Sequence, residues 1–202
     1  DETTRLTNLV NDMLNLSRLQ SGTQTLTLTE FSLTQEIREI LARYNSLTKR
    51  DGYHIVFDYK EDVTVEADQV RMSQVIYNLV NNAVSYTPAD GRIVVSARRV
   101  VEHDRPRVRI AVADEGPGIS EEDRKHIFDM FYNGSTGRRG GKSGDFKRGM
   151  GLGLSLCRSI VEVHGGTLDV RNVNPHGSEF SFTLAAVEAG DVVARSTEEA
   201  RG

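Results

Sequence analysis

The stretch GMGLGLSLCRSIVEVHGG, residues 149–166, alternates glycine with large apolar residues before an amphipathic segment. A β-strand with glycine at every second position would be weakly held, because glycine loses the most backbone freedom on folding and has no side chain to pack. The pattern therefore favours a glycine-rich turn that opens a helix. The unpaired N–H groups and the positive dipole end of such a helix favour a phosphate group, which raises the question of a nucleotide site.

The composition is that of an ordinary soluble chain. Of the 202 residues, 38% are hydrophobic and 27% are charged. A chain of this length and composition can form one domain with a small appendage. No apolar run approaches the length of a membrane span, no signal peptide is visible and the first residue is Asp, so we expect a piece of a longer protein. The net charge of −4 disfavours nucleic acid as a partner, and the single cysteine, Cys157, fits a reducing, cytoplasmic compartment.

Three segments follow from the hydrophobic pattern. In residues 1–22, apolar residues recur at alternating spacings of three and four, which predicts one helix with an apolar face for a partner. Residues 23–186 form the main predicted domain, since periods typical of helices and strands alternate there. Residues 187–202 are polar, and we expect them to be a disordered tail.

The main domain is predicted to mix helices and strands. Helices are predicted over residues 32–49, 68–87 and 121–131 and after the turn at 149–153. Strands are predicted over residues 25–31, 54–59, 63–67, 93–101, 107–114, 167–172 and 179–185. Residues 133–148 form a long glycine-rich connection, which is typical of either a functional loop or a disordered one.

Two asparagines on the predicted helix 68–87 are candidate ligands. Asn78 and Asn82 lie four residues apart and therefore one turn apart on the same side. Asn81 and Ser85 are expected to extend this polar face. Amide oxygens are among the ligands that Mg²⁺ accepts together with phosphate oxygens and water. For an isolated pair of asparagines, however, a solvated helix face is the simpler interpretation.

A second motif, DEGPGIS at residues 114–120, directly follows a predicted strand. Asp114 then lies at the strand end, and Gly116 and Gly118 would let the backbone approach a flat ligand. An ionised Asp is a hydrogen-bond acceptor and suits an exocyclic amine such as that of adenine. A simple turn after a strand is the alternative. The glycine spacing does not fit a Rossmann dinucleotide site.

Four motifs together resemble a known family. The motifs are QVIYNLVNNAVSYT (74–87), DEGPGIS (114–120), IFDMFY (127–132) and GMGLGLSLCRSIVEVHGG (149–166). In this order they resemble the N, G1, F and G2 boxes of sensor histidine kinases, within the wider ATPase group of gyrase, Hsp90 and MutL. The first helix resembles the second helix of that family's dimerisation hairpin, and the last motif is most similar to potassium-responsive sensor kinases.

The resemblance implies a fold and a site. The implied fold is an α+β two-layer sandwich, the Bergerat fold, with a mixed, mostly antiparallel five-stranded sheet and helices on one face. The implied cofactors are ATP and Mg²⁺; Asn78 and Asn82 would be the catalytic residues that hold Mg²⁺ and phosphate, and Asp114 would bind adenine. The other implied nucleotide contacts are Tyr86, Gly116, Gly118, Ile119, Phe131, Arg148, Gly149, Gly151, Leu152, Gly153, Leu154 and Ser178.

The resemblance also implies an activity and partners. The chain would be the catalytic domain that passes the γ-phosphoryl group of ATP to a histidine on the dimerisation hairpin. The implied partners are ATP or ADP, that hairpin and a response regulator, in a homodimeric, membrane-anchored parent whose catalytic part lies on the cytoplasmic side. Two alternatives stay open: a nucleotide-binding or dimerisation module without phosphotransfer, and a hydrolytic ATPase. The latter is disfavoured because Asn78 stands where hydrolytic relatives carry a catalytic Glu.

The sequence departs from the family pattern in two respects. Ser85 stands where the family usually carries Lys or Arg, so cations at residues 138–148 would have to replace it or transfer would be slow. The histidine that accepts the phosphoryl group is missing. His103 and Asp104 copy the expected His–acid pair, but they lie in a predicted turn between two strands and not on a helix.

Overall fold

The computed structural model describes residues 25–45, 48, 52–132 and 151–187, together with residues 7, 10, 11, 13, 14, 17 and 21. Its regular elements are β1 Thr29–Ser32, α1 Leu33–Ala42, β2 His54–Tyr59, β3 Thr64–Ala67, α2 Gln69–Tyr86, β4 Arg92–Glu102, β5 Arg105–Asp114, α3 Glu121–His126, α4 Gly153–Val163, β6 Leu168–Asn172 and β7 Ser178–Ala185. No helix in this described part of the chain is long and apolar enough to cross a membrane.

Five strands form the main sheet in the order β2-β4-β5-β7-β6. β2 runs parallel to β4, and the other neighbouring pairs are antiparallel. The expected mixed, mostly antiparallel five-stranded sheet is therefore confirmed. β1 and β3 form a separate two-stranded antiparallel sheet, which was not predicted, because alternation along a strand does not specify the strand's partner.

Helix α2 carries the clearest sequence pattern and supplies the centre of the core. Asp68 caps its start by accepting a hydrogen bond from the Arg71 N–H, and Thr87 ends it before Pro88. The side chains on its apolar side are all buried, and they are Met72, Val75, Ile76, Leu79, Val80 and Ala83. The prediction of a helix over residues 68–87 is confirmed.

The helices cover one face of the main sheet. Alternate residues of β5 and β7 point toward the helices and belong to the hydrophobic core. They are Val108, Ile110, Val112, Phe180, Phe182 and Leu184. Helices α2 and α4 pack against each other in this layer. On the opposite face, the Arg109 guanidinium binds the Glu179 carboxylate at 2.6 Å. The buried layer thus places the ends of α2, β5 and β7 close to the start of α4.

Two elements near the start of the main domain are shorter than predicted. The strand predicted over residues 25–31 is reduced to β1, because the Thr27 N–H donates to the Asp68 carboxylate at 3.2 Å instead of pairing with a strand. The helix predicted over residues 32–49 ends as α1 at Ala42, where the Arg43 N–H donates to the carbonyl oxygens of the preceding turn. At its start, the Ser32 side chain caps α1 by accepting a hydrogen bond from the Gln35 N–H.

The described residues before residue 25 are consistent with the predicted first helix. Residues 7, 10, 11, 13, 14 and 17 have helical backbone. Val10, Met13 and Leu14 are each about half exposed. Met13 and Leu14 lie three and four residues after Val10, so the three side chains share one helix face. A partner for this face stays a prediction.

Candidate nucleotide-binding site

Asp114 lies at the end of β5, and its carboxylate is almost completely enclosed, since the residue is 3% exposed. Its Oδ1 accepts hydrogen bonds from the Gly116 N–H at 2.8 Å and the Ser178 N–H at 3.3 Å. Its Oδ2 accepts from the Ser178 hydroxyl at 2.6 Å. These donors fix the carboxylate in one orientation. Its remaining lone pairs can accept a hydrogen bond from an amine such as that of adenine.

The close packing around Asp114 requires glycine at two neighbouring positions. Gly177 has φ = 117°, and a Cβ atom there would lie 1.9 Å from the Asp114 carbonyl oxygen. A Cβ atom on Gly116 would lie 2.7 Å from Asp114 Oδ1 and 3.0 Å from the Tyr86 carbonyl oxygen. The loop after β5, the end of α2 and the start of β7 therefore meet around Asp114 with no space for another side chain.

The loop that follows Asp114 is held by β6. Ile119 is partly buried against the core, and its backbone N–H and C=O both bond to the Asn172 side chain. Gly118, which precedes it, has φ = 76°. Asn172 was not singled out from the sequence. No local pattern could have identified it, because its partner lies 53 residues away.

The segment after α3 meets the turn before α4. The Phe131 N–H donates to the Gly151 carbonyl oxygen at 3.0 Å. Gly151 has φ = 71°, and a Cβ atom there would lie 2.7 Å from the Tyr132 carbonyl oxygen. Phe131 has φ = 63°. The helix predicted over residues 121–131 is therefore wrong beyond His126, because the chain turns to reach Gly151.

The two phenylalanines of the IFDMFY motif differ in their environment. Phe128 is partly buried, and its ring contacts the Phe180 ring edge-on with centroids 6.3 Å apart. The Phe131 side chain is 54% exposed. Phe128 therefore attaches this segment to the core through its side chain, whereas Phe131 attaches it to the turn before α4 through its backbone.

The start of α4 lies beside α2. Leu152 is 3% exposed and Leu154 is partly buried, so these predicted contacts pack into the core and hold the turn in place. Leu152, the residue at the N-terminal cap position of α4, makes no side-chain hydrogen bond to the first N–H groups of the helix. A Cβ atom on Gly153 would lie 4.0 Å from Asn78 Nδ2. An uncapped helix start next to an amide side chain is a suitable place for phosphate.

The asparagines of α2 separate into two groups. Asn78 and Asn82 are partly buried, and neither amide has a hydrogen-bond partner among the residues that the structure describes. The expectation that Asn81 extends their face is wrong, because its Oδ1 accepts from the buried Tyr44 hydroxyl at 2.7 Å. The Ser85 hydroxyl donates to the Asn81 carbonyl oxygen at 2.8 Å. The amides of Asn78 and Asn82 thus stay available, and their oxygens fit the ligand preference of Mg²⁺.

Asp123 is a further polar residue near the site that sequence reasoning missed. It is 6% exposed, and its carboxylate accepts hydrogen bonds from the Tyr132 hydroxyl at 2.6 Å and the Ser120 hydroxyl at 2.8 Å. Burial, and then the negative charge of Asp123, raise the pKa of the predicted contact Tyr86. Ser120 also caps α3 by accepting from the Asp123 N–H. The spacing S-x-x-D, typical of a capping box, is the signal that could have revealed Asp123.

Several predictions fall outside the described residues. These are the predicted nucleotide contacts Arg148 and Gly149, the basic residues Arg138, Arg139, Lys142 and Lys147, and residues 188–202 of the expected tail. His103 and Asp104, in contrast, are described and lie in the turn between β4 and β5 with φ = 51° and 58°. The His–Asp pair is therefore not on a helix, as predicted.

Comparison with known proteins gives the family. Residues 67–188 match the model of the histidine kinase-, DNA gyrase B-, and HSP90-like ATPases. The chain belongs to this family. The chain is 36% identical over 177 residues to the adaptive-response sensory kinase SasA of Microcystis aeruginosa. The alignment covers 87% of the chain but 44% of SasA, so the chain spans less than half the length of that relative.

Solved structures of histidine kinases share the fold. Full-length ShkA in complex with AMPPNP matches with a TM-score of 0.74 and 28% identity, over 91% of this chain and 36% of ShkA. ThkA in complex with the response regulator protein TrrA matches with a TM-score of 0.67 and 28% identity, over 90% of this chain and 49% of ThkA. The chain thus has the fold of the ATP-binding catalytic domain of two-component histidine kinases.

Proposed function

We propose that this domain binds ATP with Mg²⁺ and transfers the γ-phosphoryl group to a histidine on the dimerisation hairpin of its parent protein. The observation that carries the proposal is the buried Asp114 carboxylate, which three donors hold as a fixed acceptor at a strand end. The uncapped start of α4 next to Asn78 supports phosphate binding close by.

The proposed roles follow from the chemistry of each side chain. Asp114 accepts a hydrogen bond from the adenine amine, and Tyr86 and Ile119 line the base pocket. Asn78 and Asn82 hold Mg²⁺ through their amide oxygens, and the N–H groups at the start of α4 bind phosphate oxygens. When bound, Mg²⁺ neutralises charge on the phosphate oxygens. The protein's main task is then to position the reacting groups and to exclude water.

Two residues bear on whether the bound nucleotide reacts with a histidine or with water. Asn78 stands where hydrolytic relatives carry Glu, and an amide cannot act as a general base, which favours transfer over hydrolysis. Ser85 supplies no positive charge, and its hydroxyl is already bonded to the Asn81 carbonyl oxygen. The basic residues within 138–148 are therefore proposed to replace the usual cation at that position.

The proposed partners belong to the parent protein. We propose a homodimer formed through the helix of residues 1–22, whose described apolar side chains are half exposed. A response regulator is proposed as the acceptor of the phosphoryl group, supported by the complex of ThkA with TrrA. Anchoring of the parent in the inner membrane, with this domain on the cytoplasmic side, is proposed by analogy with the family.

Nucleotide binding is tested by calorimetric titration of Mg-ADP into the chain and into Asp114→Asn. Asparagine replaces one acceptor oxygen with an NH₂ group. This donor would face the adenine amine and the Ser178 hydroxyl, which are also donors, so affinity is expected to fall about 100-fold. The matched control is Asp104→Asn, the same change in the turn before β5, which should leave affinity unchanged. Equal affinity of Asp114→Asn and the unaltered chain would contradict the proposed base site.

Phosphoryl transfer is tested by adding labelled ATP and a separate hairpin fragment of the parent that carries its phosphoacceptor histidine. Acid-labile label on the hairpin is expected only when the domain is present. The second candidate function is a nucleotide-binding module without transfer, and Ser85 in place of a basic residue favours it. Nucleotide binding without any label on the hairpin would support this module, whereas sustained release of phosphate would support a hydrolytic ATPase.

A further inference from the structure

Three neighbouring strands end side by side at the candidate base pocket. Asp114 is the last residue of β5, Ser178 is the first of β7 and Asn172 is the last of β6. The sheet register pairs Ser178 with Asp114 on one side and with Asn172 on the other. The β6–β7 hairpin therefore brings two polar side chains to the loop that follows Asp114.

These two side chains hold different parts of that loop. Ser178 fixes the Asp114 carboxylate, as described above. Asn172 fixes Ile119: its Oδ1 accepts from the Ile119 N–H at 2.9 Å, and its Nδ2 donates to the Ile119 carbonyl oxygen at 2.9 Å. A planar amide that exchanges both bonds with one residue imitates a strand partner. The position and the orientation of Ile119 are then both determined.

The approach of the loop to Asn172 depends on the residue before Ile119. Gly118 has φ = 76°, and a Cβ atom there would lie 3.3 Å from Asn172 Oδ1. A larger residue at position 118 would need a left-handed backbone that glycine adopts most readily, and the Asn172 amide would have to move by a few tenths of an ångström. Asn172 is exposed, so these two bonds form in competition with water and the side chain contributes little to the packed core.

We infer that Asn172 is a positioning residue for adenine binding: through its two bonds to Ile119 it keeps the loop of residues 115–120 in the shape of the base pocket. This inference rests on the proposed nucleotide-binding function. Asn172 itself does not contact the nucleotide in this account. Its substitution should weaken nucleotide binding through the loop while leaving the helix that binds phosphate undisturbed.

The test compares Asn172→Ala and Asn172→Asp with the unaltered chain. Alanine removes both bonds, and aspartate keeps the acceptor for the Ile119 N–H but loses the donor to the Ile119 carbonyl. Asn174→Asp, in the β6–β7 turn, introduces the same charge two residues away and serves as the control. Affinity for Mg-ADP is measured by calorimetry, and amide hydrogen exchange in the ligand-free chain is measured by NMR at Ile119 and at Leu156 in α4.

For Asn172→Ala, affinity for Mg-ADP is expected to fall about 10-fold. Exchange should be faster at Ile119 and unchanged at Leu156, whose N–H bonds to Leu152 within the start of α4. Asn172→Asp should keep slow exchange at Ile119 with an intermediate affinity, and Asn174→Asp should match the unaltered chain.

Unchanged affinity of Asn172→Ala, or weaker binding without faster exchange at Ile119, would overturn the inference alone. Equally faster exchange at Ile119 and Leu156 would also overturn it, because it would indicate general destabilisation. Failure of the unaltered chain to bind Mg-ADP would instead overturn the proposed function, and the inference with it.

Discussion

The base side and the phosphate side of the candidate site differ in how completely the protein satisfies its own polar groups. At the base side, Asp114 is 3% exposed and accepts three hydrogen bonds. At the phosphate side, Asn78 and Asn82 have no hydrogen-bond partner among the described residues, and the cap residue Leu152 makes no side-chain hydrogen bond to the start of α4. The base side is therefore held in place by the protein's own hydrogen bonds, whereas the described part of the phosphate side leaves amide groups without partners.

This difference has an energetic meaning. A side chain that is already fixed loses little entropy when a ligand binds, so the base side is preorganised for one hydrogen-bonding pattern. In the proposed function, the phosphate side would gain its bonds only with the ligand, because phosphate and Mg²⁺ would supply partners for the amide and N–H groups there. Substitutions on the base side should therefore affect both the fold and binding, and those on the phosphate side should affect mainly binding.

The largest effect is expected for Gly177→Ala on the base side. The new Cβ atom would lie 1.9 Å from the Asp114 carbonyl oxygen at a backbone φ of 117°, so β7 must shift. We expect the free energy of unfolding in urea to fall by more than about 3 kcal/mol, together with loss of Mg-ADP binding. Gly165→Ala is the control, because Gly165 has φ = 68° but no atom within 4 Å, and it should cost about 1–2 kcal/mol. Equal losses in the two variants would contradict the close approach at Asp114.

The second prediction separates neighbours on α2. Asn82→Ala is expected to weaken Mg-ADP binding about 10-fold with little change in stability, since its amide has no described partner to lose. Asn81→Ala should instead leave the Tyr44 hydroxyl buried without an acceptor and lower the free energy of unfolding by about 1–3 kcal/mol, with binding nearly unchanged. Calorimetry and urea unfolding of both variants measure the two effects. If Asn81→Ala proved the weaker binder, the two faces of α2 would have been assigned incorrectly.

A smaller effect is expected for Ser178→Ala. The change removes the hydroxyl donor to Asp114 Oδ2 but keeps the Ser178 N–H donor to Oδ1. Affinity for Mg-ADP should fall about fivefold, which corresponds to about 1 kcal/mol. Ser181→Ala, a buried serine of the same strand on the opposite side of the sheet, is the control for calorimetry. An identical response in the two variants would show that the Ser178 hydroxyl does not preorganise Asp114.

The smallest expected effect concerns Glu179, which neighbours Ser178 but faces the other side of the sheet. Burial alone would raise the pKa of Glu179, but hydrogen bonds from Arg171 and Arg109 outweigh burial and hold the pKa below the usual range of a glutamate. The ionised form is therefore favoured by folding. The ionised carboxylate therefore stabilises the folded state above the pKa that Glu179 has in the unfolded chain. This stabilisation is lost as the pH falls through the lower pKa of the folded state.

This pH dependence is measured by urea unfolding of the unaltered chain and of Glu179→Gln between about pH 3 and 7. The difference in unfolding free energy should be constant above about pH 5 and decrease below it, with a size of about 1 kcal/mol or less because Arg171 is exposed. Mg-ADP affinity at pH 7 should be the same in both chains. A difference that grew as the pH fell would contradict the lowered pKa.

Much of the fold could be predicted because its signals are local. The apolar side of α2, its Asp68 cap and the alternation along β4 and β5 depend on residues a few positions apart. The four ordered motifs likewise indicated the family, which the match of residues 67–188 confirmed. The ends of elements were predicted less well: the chain leaves the helical path after His126 to reach Gly151, and nothing near His126 specifies that distant partner.

Local patterns in the amino-acid sequence were sufficient for the main helices and strands, and the four ordered motifs were sufficient for the family and its α+β fold. The residues of the nucleotide site stay predictions. Folding was needed to decide which asparagine turns to Tyr44, which residue supports Ile119 and how tightly Asp114 is enclosed. The bonds concerned join residues 37, 53 and 64 positions apart. Periodicity reports which side of an element is buried, but hydrogen-bond partners from other elements are set by how the layers pack.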